Sequence, residues 1–154
     1  MKSVKIVNRR FSREYEEIER FEAGIVLTGA EVKSIRNGNF HLEEAFVRIM
    51  SDGLYLVNAD ISIYKYSKPA TYDSRHMRKL LVHKKEILRL ATKLSSSSRL
   101  TIAPVACYNK GNLIKLQIAL CKGRREVEKK KLDKARDIKL DQKREAKEYM
   151  KIDR

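Results

Sequence analysis

Apolar and polar positions alternate most plainly from Leu113 to Cys121, where Ile114, Leu116, Ile118 and Leu120 are interleaved with Lys115, Gln117 and Ala119. A period of two is that of a half-buried β-strand. The apolar run Leu100 to Cys107 reaches this strand through Asn109-Lys110-Gly111-Asn112, which predicts a hairpin. A second hairpin is predicted upstream, where Ser51-Asp52-Gly53 joins Phe46–Met50 to Leu54–Ile61. Pro104 has no amide hydrogen, so its strand is expected to lie at an edge or to bulge. Two stretches switch to a helical period. His83 to Leu94 carries an apolar stripe of Ile87, Leu90, Ala91 and Leu94. Glu22 to Gly38 runs from an apolar strand (Ile25, Val26, Leu27) through a turn at Gly29 into a short helix. There Val32 and Ile35 face inward, Lys33 and Arg36 share the outer face, and Gly38 reads as a C-cap.

After Cys121 the pattern thins. Val127, Leu132, Ala135, Ile138, Ala146 and Tyr149 form an interrupted helical stripe in a background of mixed charge. Such a stripe is too sparse to bury against a core, and predicts a solvated tail with helical propensity that orders on a partner. The expected architecture is mainly β with short helices: an OB-like, closed or nearly closed β-barrel over residues 1–121, followed by a basic C-terminal tail over 122–154. An open α+β sheet is the alternative. No internal repeat is visible.

Charge changes the picture most. In 154 residues, Lys and Arg outnumber Asp and Glu by 35 to 20, a formal net charge of +15. Such an excess repels itself unless a polyanion neutralises it, with nucleic acid the first candidate and an anionic membrane surface the second. No run approaches the roughly twenty apolar residues that cross a bilayer. The opening MKSVKIVNRR has no apolar core before a small-residue cleavage site, so no secretory signal is expected. Cys107 and Cys121 lie in apolar runs and are expected as buried, reduced thiols of a cytosolic protein. His41, His76 and His83 lack metal-ligand spacing, so no metal site is expected.

Several clusters offer chemistry. Asn8-Arg9-Arg10, followed by Tyr15, pairs guanidinium forks with a stacking face, or is a basic leader. Arg75, His76, Arg78, Lys79 and His83 surround Leu80-Leu81-Val82. They read either as the start of a helix or as a rim of donors against RNA, with an exposed leucine on an unstacked base. Glu14, Glu16, Glu17 and Glu19 are expected to pair with Arg13 and Arg20. His83 and Glu86 have no nucleophile in an elbow beside them, and no phosphate loop of Walker or dinucleotide spacing occurs. An enzymatic reading has no foothold, and no cofactor is implied. Lys122, Arg124, Arg125, Lys129, Lys130, Lys131, Lys134 and Arg136 make the first half of the tail cation-dominated, so it can project into a phosphate-lined channel.

The strings themselves are more specific. EAGIVLTGAEVKSIR, Asn8-Arg9 with Tyr15, RKLLVHKKEI and TIAPVACYNKGNLIKLQIALCKGRR together resemble the SmpB family, the tmRNA-binding (SsrA-binding) proteins of bacterial ribosome rescue. The resemblance implies an OB-like core that grips the tRNA-like domain of tmRNA, and a tail, unstructured in solution, that becomes helical in the empty mRNA channel of a stalled ribosome near the decoding centre. It implies a cytoplasmic, non-enzymatic adaptor, monomeric on its RNA. By matching position it implies core RNA contacts at Asn8, Arg9, Tyr15, Glu22, Lys33, Arg36, Arg78, Lys79, Leu81 and His83. In the tail it implies ribosomal RNA contacts at Lys122, Gly123, Arg124, Arg125, Lys129, Lys130, Lys134 and Arg136. The chain departs from the family pattern at Phe11 and Arg13 (Ala and His in the family), at Ile61-Ser62-Ile63, which lacks a proline, and at Ser74-Arg75-His76. It departs again at Val127-Glu128-Lys129-Lys130, where the family carries an aromatic or His followed by Asp-Lys-Arg. A ribosomal or rRNA-binding protein with a basic tail is the alternative. A nucleic-acid-processing enzyme would need a carboxylate or His cluster for metal.

Overall fold

The alternating segments pair into antiparallel strands. The structure, a computed structural model, describes residues 3–67 and 71–152, Ile152 by its backbone alone. In chain order the elements are β1 (Lys5–Val7), α1 (Phe11–Glu14), β2 (Tyr15–Ile25), α2 (Gly29–Arg36), β3 (Phe40–His41), β4 (Phe46–Met50) and β5 (Gly53–Val57). There follow β6 (Asp60–Ile61), β7 (Arg78–Leu81), α3 (Lys84–Ser96), β8 (Leu100–Lys110), β9 (Leu113–Gly123) and α4 (Glu126–Ile152). The chain divides into two compact units, Met1–Gly123 and Arg124–Arg154.

In the first unit the main sheet runs β1-β8-β4-β5-β7-β2-β9, and β9 pairs back onto β8. Six strands therefore close into a ring. One edge of β8 is occupied by β9 along its length, while β4 (at Ile102) and β1 (at Ala106–Tyr108) share the other in succession. β3 and β6 form a separate two-stranded sheet. Pro104 sits where the β8–β9 register shifts, so the missing donor is absorbed by a bulge.

Inward positions of the ring supply the main core: Phe21 and Ala23 from β2, Leu54 and Leu56 from β5, Leu80 from β7, Ile102 from β8, and Leu116, Ile118 and Leu120 from β9. Ile35 of α2 and Leu90 of α3 seal it. A smaller core of Phe11, Ala103, Val105, Ala119 and Cys121 lies on the opposite face of β8–β9, with Tyr15 packed against it. The hairpin is thus buried on both faces at one end. Cys107 and Cys121 are free and buried, and burial pushes both thiols up to about 12, which leaves them unreactive at neutral pH.

Three stretches differ from expectation. The strand expected over Leu54–Ile61 ends at Val57, because Asn58 turns the chain with φ +63°, and Asp60–Ile61 leaves the hairpin to pair with β3. β2 begins at Tyr15, not at Ile25, and takes the acidic segment into the sheet with a bulge between Glu17 and Glu19. Arg78–Leu81, one of whose readings was the start of a helix, is a strand between β5 and β2. The turn before α2 is set by Thr28 rather than by Gly29. Thr28 Oγ1 accepts from the Glu31 amide (3.2 Å), and Glu31 Oε1 accepts from the Thr28 amide (3.1 Å), a reciprocal capping box. At the other end Gly38 has φ +82°, the left-handed conformation its C-terminal position asks for.

In the second unit, α4 is one continuous helix. Its large apolar side chains stay in solvent, Val127, Ile138, Tyr149 and Met150 among them. Lys129 pairs with Glu126 within the first turn, at 3.6 Å.

Candidate nucleic-acid interface

Strand alternation decides which sequence-predicted residues reach the surface. Since Phe21, Ala23, Leu54, Leu56 and Leu80 point inward, Glu22, Gly24, Tyr55, Lys79 and Leu81 point outward. The registers place Tyr55 opposite Lys79, Leu81 opposite Gly24, and Gln117 and Lys115 opposite Glu22 and Gly24. The result is one continuous outer strip across β5, β7, β2 and β9. Gly24 is what lets Leu81 lie close, since a Cβ there would come within 3.2 Å of the Leu81 Cβ. Leu81 is 57% exposed. Beside it a shallow cavity of about 270 Å³ joins the strip to Val32 of α2 and to Leu113. Its apolar floor next to Lys115 suits an unstacked base with its phosphate.

Glu22 does not stand alone. It accepts a hydrogen bond from the Tyr108 hydroxyl and pairs with Lys110 at 3.3 Å. The Tyr108 bond, against a small burial penalty and with help from Lys110 and Lys115, holds its carboxyl below the usual carboxylate range. Burial, with the facing Glu22 charge, pushes the Tyr108 hydroxyl up to about 12. Glu22 is therefore a fixed anion that braces cations on the strip. Tyr108, Lys110 and Lys115 were not among the predicted contacts; the alternation of β9 was the available signal for Lys115, and pairing across the hairpin for the other two.

Lys33 and Arg36 are exposed on α2, as the helical spacing predicts. His83 is exposed just before α3, where its carbonyl accepts from the Glu86 and Ile87 amides. Arg9 belongs elsewhere: it lines a groove of about 420 Å³ with Arg10, His41, Glu43 and Arg75. Arg75 is held there by Glu44 (3.1 Å) and Asn58 (3.0 Å). Tyr15 stacks obliquely on Phe11, with ring centroids 5.7 Å apart, and is half-buried.

Two predicted contacts are internal instead. Asn8 is buried, donating to the Pro104 carbonyl (2.9 Å) and accepting from the Arg10 amide (3.2 Å), so it pins β1 to the bulge. Arg78 is 1% exposed. Its Nε donates to Glu31 Oε2 at 2.6 Å, Nη1 to the carbonyls of Ala59 and His76, and Nη2 to the Ser74 carbonyl and the Tyr72 hydroxyl. With its donors spent inside the fold, the guanidinium offers none to an outside partner. It ties the loop before β7 to α2, a role in which a lysine could not form the fork. Burial works to raise the Glu31 carboxyl, but the Thr28 amide, Arg78 and His76 together bring it below the usual range. The spacing of Thr28 and Glu31 was the sequence signal for this buried acid.

Glu14, Glu17 and Glu19 are paired, though not all as expected. Arg13 meets Glu14 and Arg20 meets Glu17, while Glu19 takes Arg89 (3.0 Å) and Lys93 (2.6 Å) from α3. Of the predicted tail contacts, Lys122 and Gly123 end β9, Arg124 and Arg125 precede α4, and Lys129, Lys130, Lys134 and Arg136 lie on α4. Among the described residues no group of three or more His, Cys, Asp or Glu is placed to hold a metal ion, and no helix is long and apolar enough to cross a membrane.

The family model described as "SmpB protein" matches residues 5–148. An "SsrA-binding protein" of Persephonella marina is 40% identical over 151 residues, covering 97% of this chain and 99% of its own. That of Flavobacterium psychrophilum is 39% identical over 150 residues, with the same coverages. A solved structure described as "tmRNA-SmpB: a journey to the center of the bacterial ribosome" superposes with a TM-score of 0.66 at 38% identity, over 79% of this chain and 85% of that one.

Proposed function

Because this chain belongs to the SmpB protein family, we propose that it is a non-enzymatic RNA-binding adaptor. It binds the tRNA-like domain of tmRNA and delivers it to stalled ribosomes in trans-translation, in the cytoplasm. The observation that carries this reading is the extent of the likeness, which runs through the ring of strands and on into α4. The core surface suits the task. Exposed cations on α2 neutralise phosphate, Leu81 offers an apolar platform for an unstacked base, and Glu22 accepts from base amino groups or 2′-hydroxyls while holding Lys110 in place. The RNA contacts of the core are Arg9, Tyr15, Glu22, Lys33, Arg36, Lys79, Leu81 and His83, with Asn8 and Arg78 acting from inside. Lys122, Gly123, Arg124, Arg125, Lys129, Lys130, Lys134 and Arg136 meet small-subunit rRNA, and α4 occupies the empty mRNA channel near the decoding centre. The protein supplies charge neutralisation, shape and stacking, and needs no cofactor.

The test is a reconstituted translation reaction with ribosomes stalled on a message lacking a stop codon, plus alanyl-tmRNA. Addition of this protein should produce chains carrying the tmRNA-encoded tag. Absence of tag at protein concentrations that saturate the RNA would refute the reading.

A further inference from the structure

The segment after β6 carries aromatic residues that the surface described above does not use. Tyr64 and Tyr66 meet edge to face, with ring centroids 5.4 Å apart and planes at 68°. Tyr66 is 72% exposed, so most of its ring gains nothing from burial in the fold. Beside Tyr64 opens a cavity of about 260 Å³, mostly apolar, lined by Ala30, Ile63, Tyr64 and Tyr72 among others, with Glu31 at its wall. Cations flank the aromatic pair. Lys33 Nζ lies 5.5 Å from the Tyr64 ring centroid, and Lys65 Nζ lies 4.7 Å from that of Tyr66.

The walls are set before any ligand arrives. The Tyr72 hydroxyl donates to the Ile61 carbonyl (2.8 Å), is within 3.4 Å of Glu31 Oε2, and accepts from Arg78 (3.3 Å). Ser34 Oγ donates to the Ser62 carbonyl at 2.5 Å, which fastens the segment to α2. The buried Glu31–Arg78 pair thus acts as the foundation of this cavity.

We propose that this cavity and the Tyr64–Tyr66 ridge form a second nucleobase site, taking one unstacked base of an RNA loop while Lys33 and Lys65 hold the adjoining phosphates. The inference extends the functional reading above and rests on it for the identity of the RNA. An aromatic face for stacking and cations for the backbone are the means by which proteins hold unstacked nucleotides, and the mostly apolar cavity beside Tyr64 is large enough to admit one base. Charge selects the occupant: an apolar peptide would gain nothing from the lysines, whereas the net charge of +15 calls for a polyanion. Lys33 then serves both surfaces, and α2 lies between the Leu81 cavity and this one.

The test uses the full chain and two probes, tmRNA and a short single-stranded oligoribonucleotide carrying 2-aminopurine. Tyr66→Ala and Tyr64→Ala should each weaken tmRNA binding roughly tenfold, the fold-change of one lost base stack. Tyr66→Phe and Tyr64→Phe should bind as the wild type does. The slope of log affinity against log salt should be unchanged by the tyrosine variants, yet flattened by about one in Lys33→Ala. With the oligoribonucleotide, stacking should quench 2-aminopurine, and Tyr66→Ala should restore its fluorescence. Tyr66 is exposed enough that its removal leaves the fold intact, so a folding defect in Tyr64→Ala does not blunt the experiment. Equal affinity of all tyrosine variants for tmRNA, or quenching that survives both alanine substitutions, overturns the site. Tyrosine-dependent quenching without preference for tmRNA would support the site while sinking the functional reading.

Discussion

Arg78 shows how far a residue's type falls short of its role. In the sequence it is one cation among 35, in a stretch rich in Arg, His and Lys. In the fold its side chain is fully buried against Glu31. Removing one partner of a buried pair leaves the other charge uncompensated, so Arg78→Met should cost about 3–5 kcal/mol in denaturant unfolding. Replacing both, as Arg78→Met with Glu31→Met, should cost less than the single change. A single-variant loss below about 1 kcal/mol would contradict the assignment. The pair also makes stability depend on acid. Glu31 titrates below its ordinary 4.5 in the folded state, so the unfolded chain takes up the proton first. Its contribution is fully present above pH 4.5 and is lost as pH falls through the lower folded value. The melting temperature should therefore drop on acidification below 4.5, and drop less steeply in Glu31→Gln. Lys33 and Arg36 contrast with this pair. They were legible as surface cations because an amphipathic helix announces its outer face, whereas nothing local marks an arginine as buried.

At the scale of elements, legibility followed periodicity. The two hairpin turns and α3 were readable because alternation or an apolar stripe was clean, and Asp52-Gly53 and Gly111 marked the turns; the break at Asn58, which ends the strand expected to run on to Ile61, was not. β2 was not. Tyr15-Glu16-Glu17-Ile18-Glu19 puts charge on both sides of the chain, and its bulge resets the alternation at Ile18, which stays 51% exposed. The strand forms because β9 offers a complete edge and because Glu17 and Glu19 find cations; strand propensity alone would not predict it. β7 is only four residues long, too short for a period to declare itself. The tail illustrates a different case: its sparse stripe predicts a solvated segment that orders only on a partner, whereas the structure holds it as one continuous helix with its large apolar side chains in solvent. We expect division of labour between the elements. Truncation after Gly123 should leave tmRNA affinity within about threefold of the full chain, since the groups proposed to contact bases stay in place, yet abolish tagging. A large loss of affinity on truncation would place RNA recognition in α4 instead.

For the whole molecule, ring closure turns scattered motifs into a surface. Segments far apart in sequence, from Tyr55 to Lys115, become neighbours only because β7 lies between β5 and β2, and β2 pairs with β9. The closed architecture was legible from the number and spacing of strands; the strand order was not, since antiparallel pairing across a ring leaves no local trace. The excess of positive charge explains affinity but not choice, because phosphate is common to every RNA. We propose that choice comes from the fixed positions of Leu81, Glu22 and the α2 cations. Equilibrium binding to tmRNA, to an elongator tRNA and to rRNA fragments, each titrated across several salt concentrations, tests this most directly. All three affinities should fall steeply with salt while the preference for tmRNA persists at physiological ionic strength. Equal affinities for the three RNAs at that ionic strength would contradict recognition by shape and leave a general polyanion binder.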